Sequence, residues 1–115
     1  MRQLITINLP TIEEVEFEVI AEYEQMRVRG NVIVSGDDAF DKEVEDGIIE
    51  RLNNGDVWSW AMVTVRASYK GITANDYLGG CSYGSEEDFK KGGYYEDMKQ
   101  NAYNQLIEQL KDLAK

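Results

Sequence analysis

Between Glu13 and Glu24 apolar and acidic residues alternate along the chain. Val15, Phe17, Val19, Ala21 and Tyr23 fall on one side of an extended backbone, and Glu14, Glu16, Glu18, Glu22 and Glu24 fall on the other, with Ile20 as the one interruption. Side chains of a strand point to opposite faces in turn, so this spacing predicts a half-buried strand with a glutamate face. One face has to be covered by apolar partners while the other stays in water, which is the habit of antiparallel sheets.

The remaining elements follow from similar patterns. Gln3 to Leu9 reads as a short β segment, closed by Pro10. Gly30-Asn31 permits a turn, and Val32-Ile33-Val34 forms either one more short strand or the lead into a helix. That helix is predicted from Asp37, as its cap, to Asn53, with Gly55 stopping it; Phe40, Val44, Ile48 and Leu52 make its apolar stripe, with Ile49 beside them. Val57 to Tyr69 is the strongest strand, with Val57, Ala61, Val63, Val65, Ala67 and Tyr69 inward and Trp58, Trp60, Met62, Thr64, Arg66 and Ser68 on the second face. Lys70-Gly71 turns it back into a strand from Ile72 to Leu78, and a glycine-rich connector, Gly79 to Gly84, follows. Ser85 caps a single turn through Asp88 to Lys91, Gly92-Gly93 breaks it, and a last helix runs from Tyr94 to about Leu113. Its stripe is Tyr95, Met98, Ala102, Leu106, Leu110 and Leu113. The economical arrangement is α+β: an antiparallel sheet of three to five strands with two helices packed on one face. Phe40, Val44 and Ile48 are then expected to face the sheet together with Val63, Val65, Leu106 and Leu110.

The chain is 115 residues long, enough to hide roughly 65% of its unfolded surface, so residues 1–115 read as a single domain. It has no run approaching about 20 apolar residues, and Met1-Arg2-Gln3-Leu4 opens no signal sequence; a soluble, cytoplasmic protein is expected. Cys81 is alone and has no disulfide partner in the chain, which agrees with a reducing compartment. Histidine is absent, which removes Ser-His-Asp and Cys-His catalysis and His-ligated zinc.

Charge is the other informative quantity. Against 12 Lys and Arg stand 22 Asp and Glu, a net charge of −10. Residues 11 to 50 hold thirteen acids and three bases, while residues 51 to 115 balance to −1 and residues 1 to 10 to +1. A field of that sign repels phosphate and acidic lipid, so the expected partner is a protein with a basic surface, not nucleic acid or a membrane. The glutamate face carries about one charge per 7 to 8 Å, too sparse to copy a duplex with one charge per ~1.7 Å. With Asp38, Asp41, Glu45, Asp46 and Glu50 of the helix it makes an acidic patch able to compete for a phosphate-binding groove. The candidate partner-binding residues are therefore Glu14, Glu16, Glu18, Glu22, Glu24, Asp38, Asp41 and Glu45, joined by Trp58 and Trp60, which form either a second core layer beneath a helix or an exposed anchor.

Other sites fare less well. Asp41 to Leu52 places acids at positions one, three and five of a calcium loop, but Asp46 stands where glycine is needed and Leu52 where glutamate is needed. Gly79 to Gly84 has neither the Walker lysine nor nucleophile-elbow spacing. No catalytic residue, metal or cofactor is expected. The alternative is a small-molecule or metal-assisted enzyme, or binding domain, around that connector, and a deep pocket converging on Cys81, Asp76 and Tyr83 would favour it.

The hairpin, glycine-rich connector and long helix are coarsely similar to the second half of a double-stranded RNA-binding domain. Such domains open that helix with a basic cluster, whereas this one opens Tyr94-Tyr95-Glu96-Asp97, which disfavours RNA. Arg29-Gly30-Asn31, Ser35-Gly36-Asp37-Asp38, Gly55-Asp56-Val57-Trp58-Ser59-Trp60, Asp76-Tyr77-Leu78-Gly79-Gly80-Cys81-Ser82-Tyr83 and Gly92-Gly93-Tyr94-Tyr95 together resemble short proteins encoded by bacteriophages, prophages and plasmids. That resemblance covers residues 29 to 103 and implies a setting: small acidic inhibitors of host defence, of anti-CRISPR or anti-restriction type, that occupy a nucleic-acid groove on their target.

Overall fold

In a computed structural model of the protein, which describes residues 8–32 and 34–114, the alternating acidic segment is an edge strand of the sheet formed by the described residues. A short 3-10 turn, Ile12–Glu14, precedes strand β1, Glu16–Tyr23. Helix α1 spans Asp38–Asn53, a second 3-10 turn Val57–Ser59, strand β2 Ala61–Tyr69 and strand β3 Ile72–Cys81. Helices α2, Glu86–Lys91, and α3, Gly93–Leu113, complete the described chain. The sheet is antiparallel in the order β1-β2-β3, and the architecture is α+β as expected. Most of the expected Gln3 to Leu9 segment lies outside the described residues; Asn8 and Leu9 have no regular structure.

Local chemistry explains the element boundaries. The side chain of Asp37 accepts from the Phe40 N–H at 3.1 Å, which caps α1 where the sequence placed its start. Ser85 does the same for α2 through the Asp88 N–H at 3.2 Å. Lys70 and Gly71, both at positive φ (48° and 84°), make a tight hairpin whose twist suits the flanking strands. Glycine there avoids the Cβ clash of the left-handed region. The expected connector is in part strand: β3 continues through Gly79 and Gly80 to Cys81. Two residues there oppose one on β2, a bulge with Gly80 at φ 64°.

The core lies on one face of the sheet. Val63, Val65 and Ala67 of β2 are wholly buried there, with Ala102 and Leu106 of α3 and Phe89 of α2. Val15, Ala74 and Leu110 extend this layer at one end, and Ala61, Cys81 and Met98 at the other. Helix α1 does not join it. Its Ile48, with Val44, Ile49 and Leu52, packs around Trp60, Val28 and Val32 in a separate cluster at the end of the sheet. The expected layering of Phe40, Val44 and Ile48 over Val63 and Val65 is therefore corrected, and Phe40 is 48% exposed. Tyr23 and Leu113, expected inward, are exposed as well. Neither Val32 nor Val34 lies in a strand, and Ile33 falls outside the described residues.

The reason for the division is the segment before β2. Alternation predicts an unbroken strand from Val57, but the Asp56 side chain accepts from the Trp58 N–H at 3.1 Å and winds Val57–Ser59 into a 3-10 turn. The two indoles then part company. Trp58 packs on Phe89, ring centroids 5.7 Å apart, in the main core. Trp60 enters the α1 cluster and donates its Nε1–H to the Met26 carbonyl at 2.6 Å.

Truncation should separate the layers. Leu106→Ala and Ile48→Ala are each expected to cost about 2 to 5 kcal/mol, and Phe40→Ala less than about 1 kcal/mol, read from urea unfolding midpoints. A Phe40 variant as damaging as the other two would refute the arrangement of α1.

Candidate interaction surface

The face of the sheet opposite α3 is built from the alternate residues of all three strands. β1 contributes Glu16, Glu18, Ile20 and Glu22; β2 contributes Met62, Thr64, Arg66 and Ser68; β3 contributes Thr73, Asn75, Tyr77 and Gly79. Their alternation partners, among them Phe17, Val19, Val63, Val65, Ala67 and Ala74, point into the core. Glu16, Glu18 and Glu22 are exposed, as is Tyr77 at 61%. A polar chain crosses the strands: the Arg66 guanidinium lies 3.7 Å from Glu18 Oε1, its Nε donates to Asn75 Oδ1 at 3.0 Å, and Asn75 Nδ2 donates to the Tyr77 hydroxyl at 3.1 Å.

The structure divides the other acidic candidates by what they hold. Glu14 accepts from the Thr11 N–H at 3.2 Å and caps the first 3-10 turn. Glu24, half-buried, reaches across the strands, where Oε1 accepts from the Gly80 N–H at 3.1 Å and ties the end of β1 to the bulge of β3. Asp41 accepts from the Ser35 hydroxyl at 2.6 Å. Glu45 is buried beside Arg29 and accepts from the Gly30 N–H at 2.7 Å, while Asp46 pairs with the same guanidinium. The bond to Asp46 is the first cause that raises the Arg29 pKa. Asp38 is exposed in the first turn of α1. Glu24 shares the sheet face opposite α3 with Glu16, Glu18 and Glu22, since its carboxylate lies over Gly79, but it is tied to the bulge, which leaves Glu16, Glu18 and Glu22 as the fully exposed acids of that face. Trp58 is half-buried and Trp60 is 2% exposed, and both pack in apolar clusters, the first of their two expected placements, so neither stands as an exposed anchor.

Ile20, Arg66, Asn75 and Tyr77 belong to the surface and were not singled out in the sequence. Ile20 reads as a flaw in the alternation, and the rest reach it only through the strand register. Tyr77 opposes Thr64, which opposes Ile20.

The connector has a different character. Leu78 to Tyr83 and Tyr94 line a depression of about 160 Å³, below the roughly 300 to 1,000 Å³ of typical ligand pockets. Asp76 is not among its walls and accepts instead from Asn101 of α3 at 3.2 Å. Cys81 is buried, with its thiol 3.4 Å from the Leu78 carbonyl. Burial first, and the Glu24 carboxylate second, push the thiol up to about 11. Burial likewise raises the pKa of Tyr83. No cluster of three metal-ligating side chains occurs among the described residues, and none of their helices is long and apolar enough to cross a membrane.

Comparison with protein-family models finds no match, and neither does comparison with curated proteins or with solved structures.

The raised thiol carries a chemical prediction. At pH 8 Cys81 in the folded chain should react with a disulfide reagent about a hundredfold more slowly than in the urea-unfolded chain. A group whose pKa is higher when folded supports stability fully below its unfolded value, so stability should fall as pH rises from about 9 towards 11. Equal reactivity in both states would contradict a protonated, sequestered thiol.

Proposed function

We propose that the protein is a non-enzymatic interaction module of phage or mobile-element type. In this reading it inhibits a host nucleic-acid-handling complex, in the manner of anti-CRISPR proteins, by binding that complex's basic surface. The observation that carries the reading is the open sheet face, where Glu16, Glu18 and Glu22 stand exposed on one edge and Arg66 is the one base. Glu24 and Glu45 have structural tasks, each holding a backbone N–H, whereas the carboxylates of Glu16, Glu18 and Glu22 hold no backbone group among the described residues. The pairing of Glu18 with Arg66 at 3.7 Å is solvent-exposed and worth little, which keeps the row available to an incoming cation.

Aromatic and apolar groups interleave with the charges. Ile20, Met62 and Tyr77 supply contact area within the same face, and tyrosine is favoured at the energetic centre of interfaces. Charge then steers encounter with a groove that normally holds phosphate, and the apolar contacts slow departure.

The test is kinetic. A partner captured from bacterial host lysate on the tagged protein is identified, and its association with the Glu16→Lys, Glu18→Lys, Glu22→Lys triple variant is measured. At low salt, association should slow about tenfold or more, and rising salt should erase the difference as the screening length falls from ~10 Å at 0.1 M to ~3 Å at 1 M. The Glu108→Lys, Asp112→Lys pair should leave the rate nearly unchanged. Unaltered kinetics in the folded triple variant would refute the charge-based reading.

A further inference from the structure

Among the described residues the acidic face ends on an unpaired strand edge, and the two together define a more specific ligand than a basic surface. The Glu24 N–H donates to the Trp60 carbonyl at 3.2 Å, and the β1–β2 register continued by one residue sets these two directly opposite. Bonded and non-bonded pairs alternate along an antiparallel ladder. Glu16, Glu18, Ile20 and Glu22 therefore direct their N–H and C=O groups into β2, while Phe17, Val19, Ala21 and Tyr23 direct theirs away from the sheet. No described residue takes those outward groups.

We propose that β1 is a docking edge for an extended segment of a partner protein, which adds to the sheet as an antiparallel fourth strand with basic residues opposite Glu16, Glu18 and Glu22. This inference rests on the proposed acidic interaction surface and names the form of its ligand. The register dictates the ligand's pattern. An added strand would bond to Phe17, Val19, Ala21 and Tyr23, and its residues facing Glu16, Glu18, Ile20 and Glu22 would sit in the closer, non-bonded pairs. Opposite charges there are favourable, and an apolar residue suits Ile20. Residues opposite Phe17, Val19 and Ala21 would extend the apolar side, where those three are only half-buried. Read from the Glu22 end, the matching segment is basic, three apolar, basic, apolar, basic. Main-chain bonds would supply affinity and the alternating side chains specificity, as in other strand additions.

Charge also selects against a second copy. Two β1 strands paired antiparallel about Val19 would set Glu16 against Glu22 twice over, and like charges directly opposite are unfavourable.

The test uses the full chain and a blocked synthetic peptide, Lys-Val-Val-Val-Lys-Val-Lys, with a second in which each Lys is replaced by Glu. Backbone hydrogen exchange is followed by NMR. The lysine peptide should slow exchange at the amides of Phe17, Val19, Ala21 and Tyr23 at least about tenfold, while those of Glu18, Ile20 and Glu22 are protected with or without it. The Glu16→Lys, Glu18→Lys, Glu22→Lys variant should lose about three- to a hundredfold in affinity for the lysine peptide and gain binding of the glutamate peptide. Glutamate-dependent binding without protection of the four amides would overturn strand addition and leave the acidic-face reading intact. No binding of the lysine peptide by the folded chain would also overturn strand addition, while kinetics with the captured partner decide the acidic-face reading separately. Protection of the four amides without peptide, growing with protein concentration, would show that a second copy takes the edge and would overturn the proposal too.

Discussion

The turn Trp58-Ser59-Trp60 holds the two halves of the molecule together. It faces three ways. Trp58 stacks on Phe89 and thereby joins α2 to the main core. The Ser59 hydroxyl, wholly buried, donates to the Ile48 carbonyl of α1 at 2.8 Å. Trp60 fills the cluster that α1 shares with Val28. Arg51 adds a link on the same side, donating to the Tyr83 carbonyl at 2.7 Å and to Asp56 Oδ2 at 2.9 Å. A buried polar group without its partner is costly, so these bonds orient α1 as well as attach it. Without this turn α1 would have an apolar stripe and no sheet residue shaped to receive it.

Because α1 is held at the end of the sheet, no described helix packs on the face opposite α3, although Thr64 at its centre is covered by its neighbours. That face is where the charge segregation of the sequence becomes spatial. The acids of residues 11 to 50 serve three different purposes. Some cap or bracket local backbone, as Glu14, Asp37 and Asp41 do. Others hold neighbouring groups, as Glu45 does by pairing with the exposed Arg29 guanidinium and accepting from the Gly30 amide, and Glu24 by accepting from the Gly80 amide in the bulge. The remaining row on β1 has no such task. It does guard an exposed strand edge against self-association, since charged edges resist pairing with copies of themselves. The same row makes the edge receptive to a strand of opposite sign, so protection and recognition draw on one arrangement.

The glycine-rich connector shows how fold and chemistry separate. Its glycine content suits a loop around a small ligand, yet half of it is strand and bulge, and Cys81 completes the core beside Ala61 and Phe89. Gly79 has the carboxylate of Glu24 so close that an added Cβ would stand 2.8 Å from it. Small residues are required there by packing.

Elements with strong local signals were legible in the sequence. Caps at Asp37 and Ser85, the Lys70-Gly71 hairpin, the alternation of β1 and the Met98-Ala102-Leu106-Leu110 stripe are local, since each depends on residues within one or two turns of the chain. Alternation missed one local event, the 3-10 turn at Val57–Ser59, because a two-residue spacing of indoles looks the same in either form and the deciding bond is the Asp56 cap on the Trp58 amide. Tertiary structure decided the rest. Alternation could not separate Glu22, which stays in water, from Glu24, whose carboxylate is held by the amide of a glycine 56 residues away. The composition of the open face required the register of three strands, which brings Ile20, Thr64 and Tyr77 into one row although they lie far apart in sequence. Short-range order is written in neighbouring residues, whereas a surface is a property of strands that meet only when the chain has closed on itself.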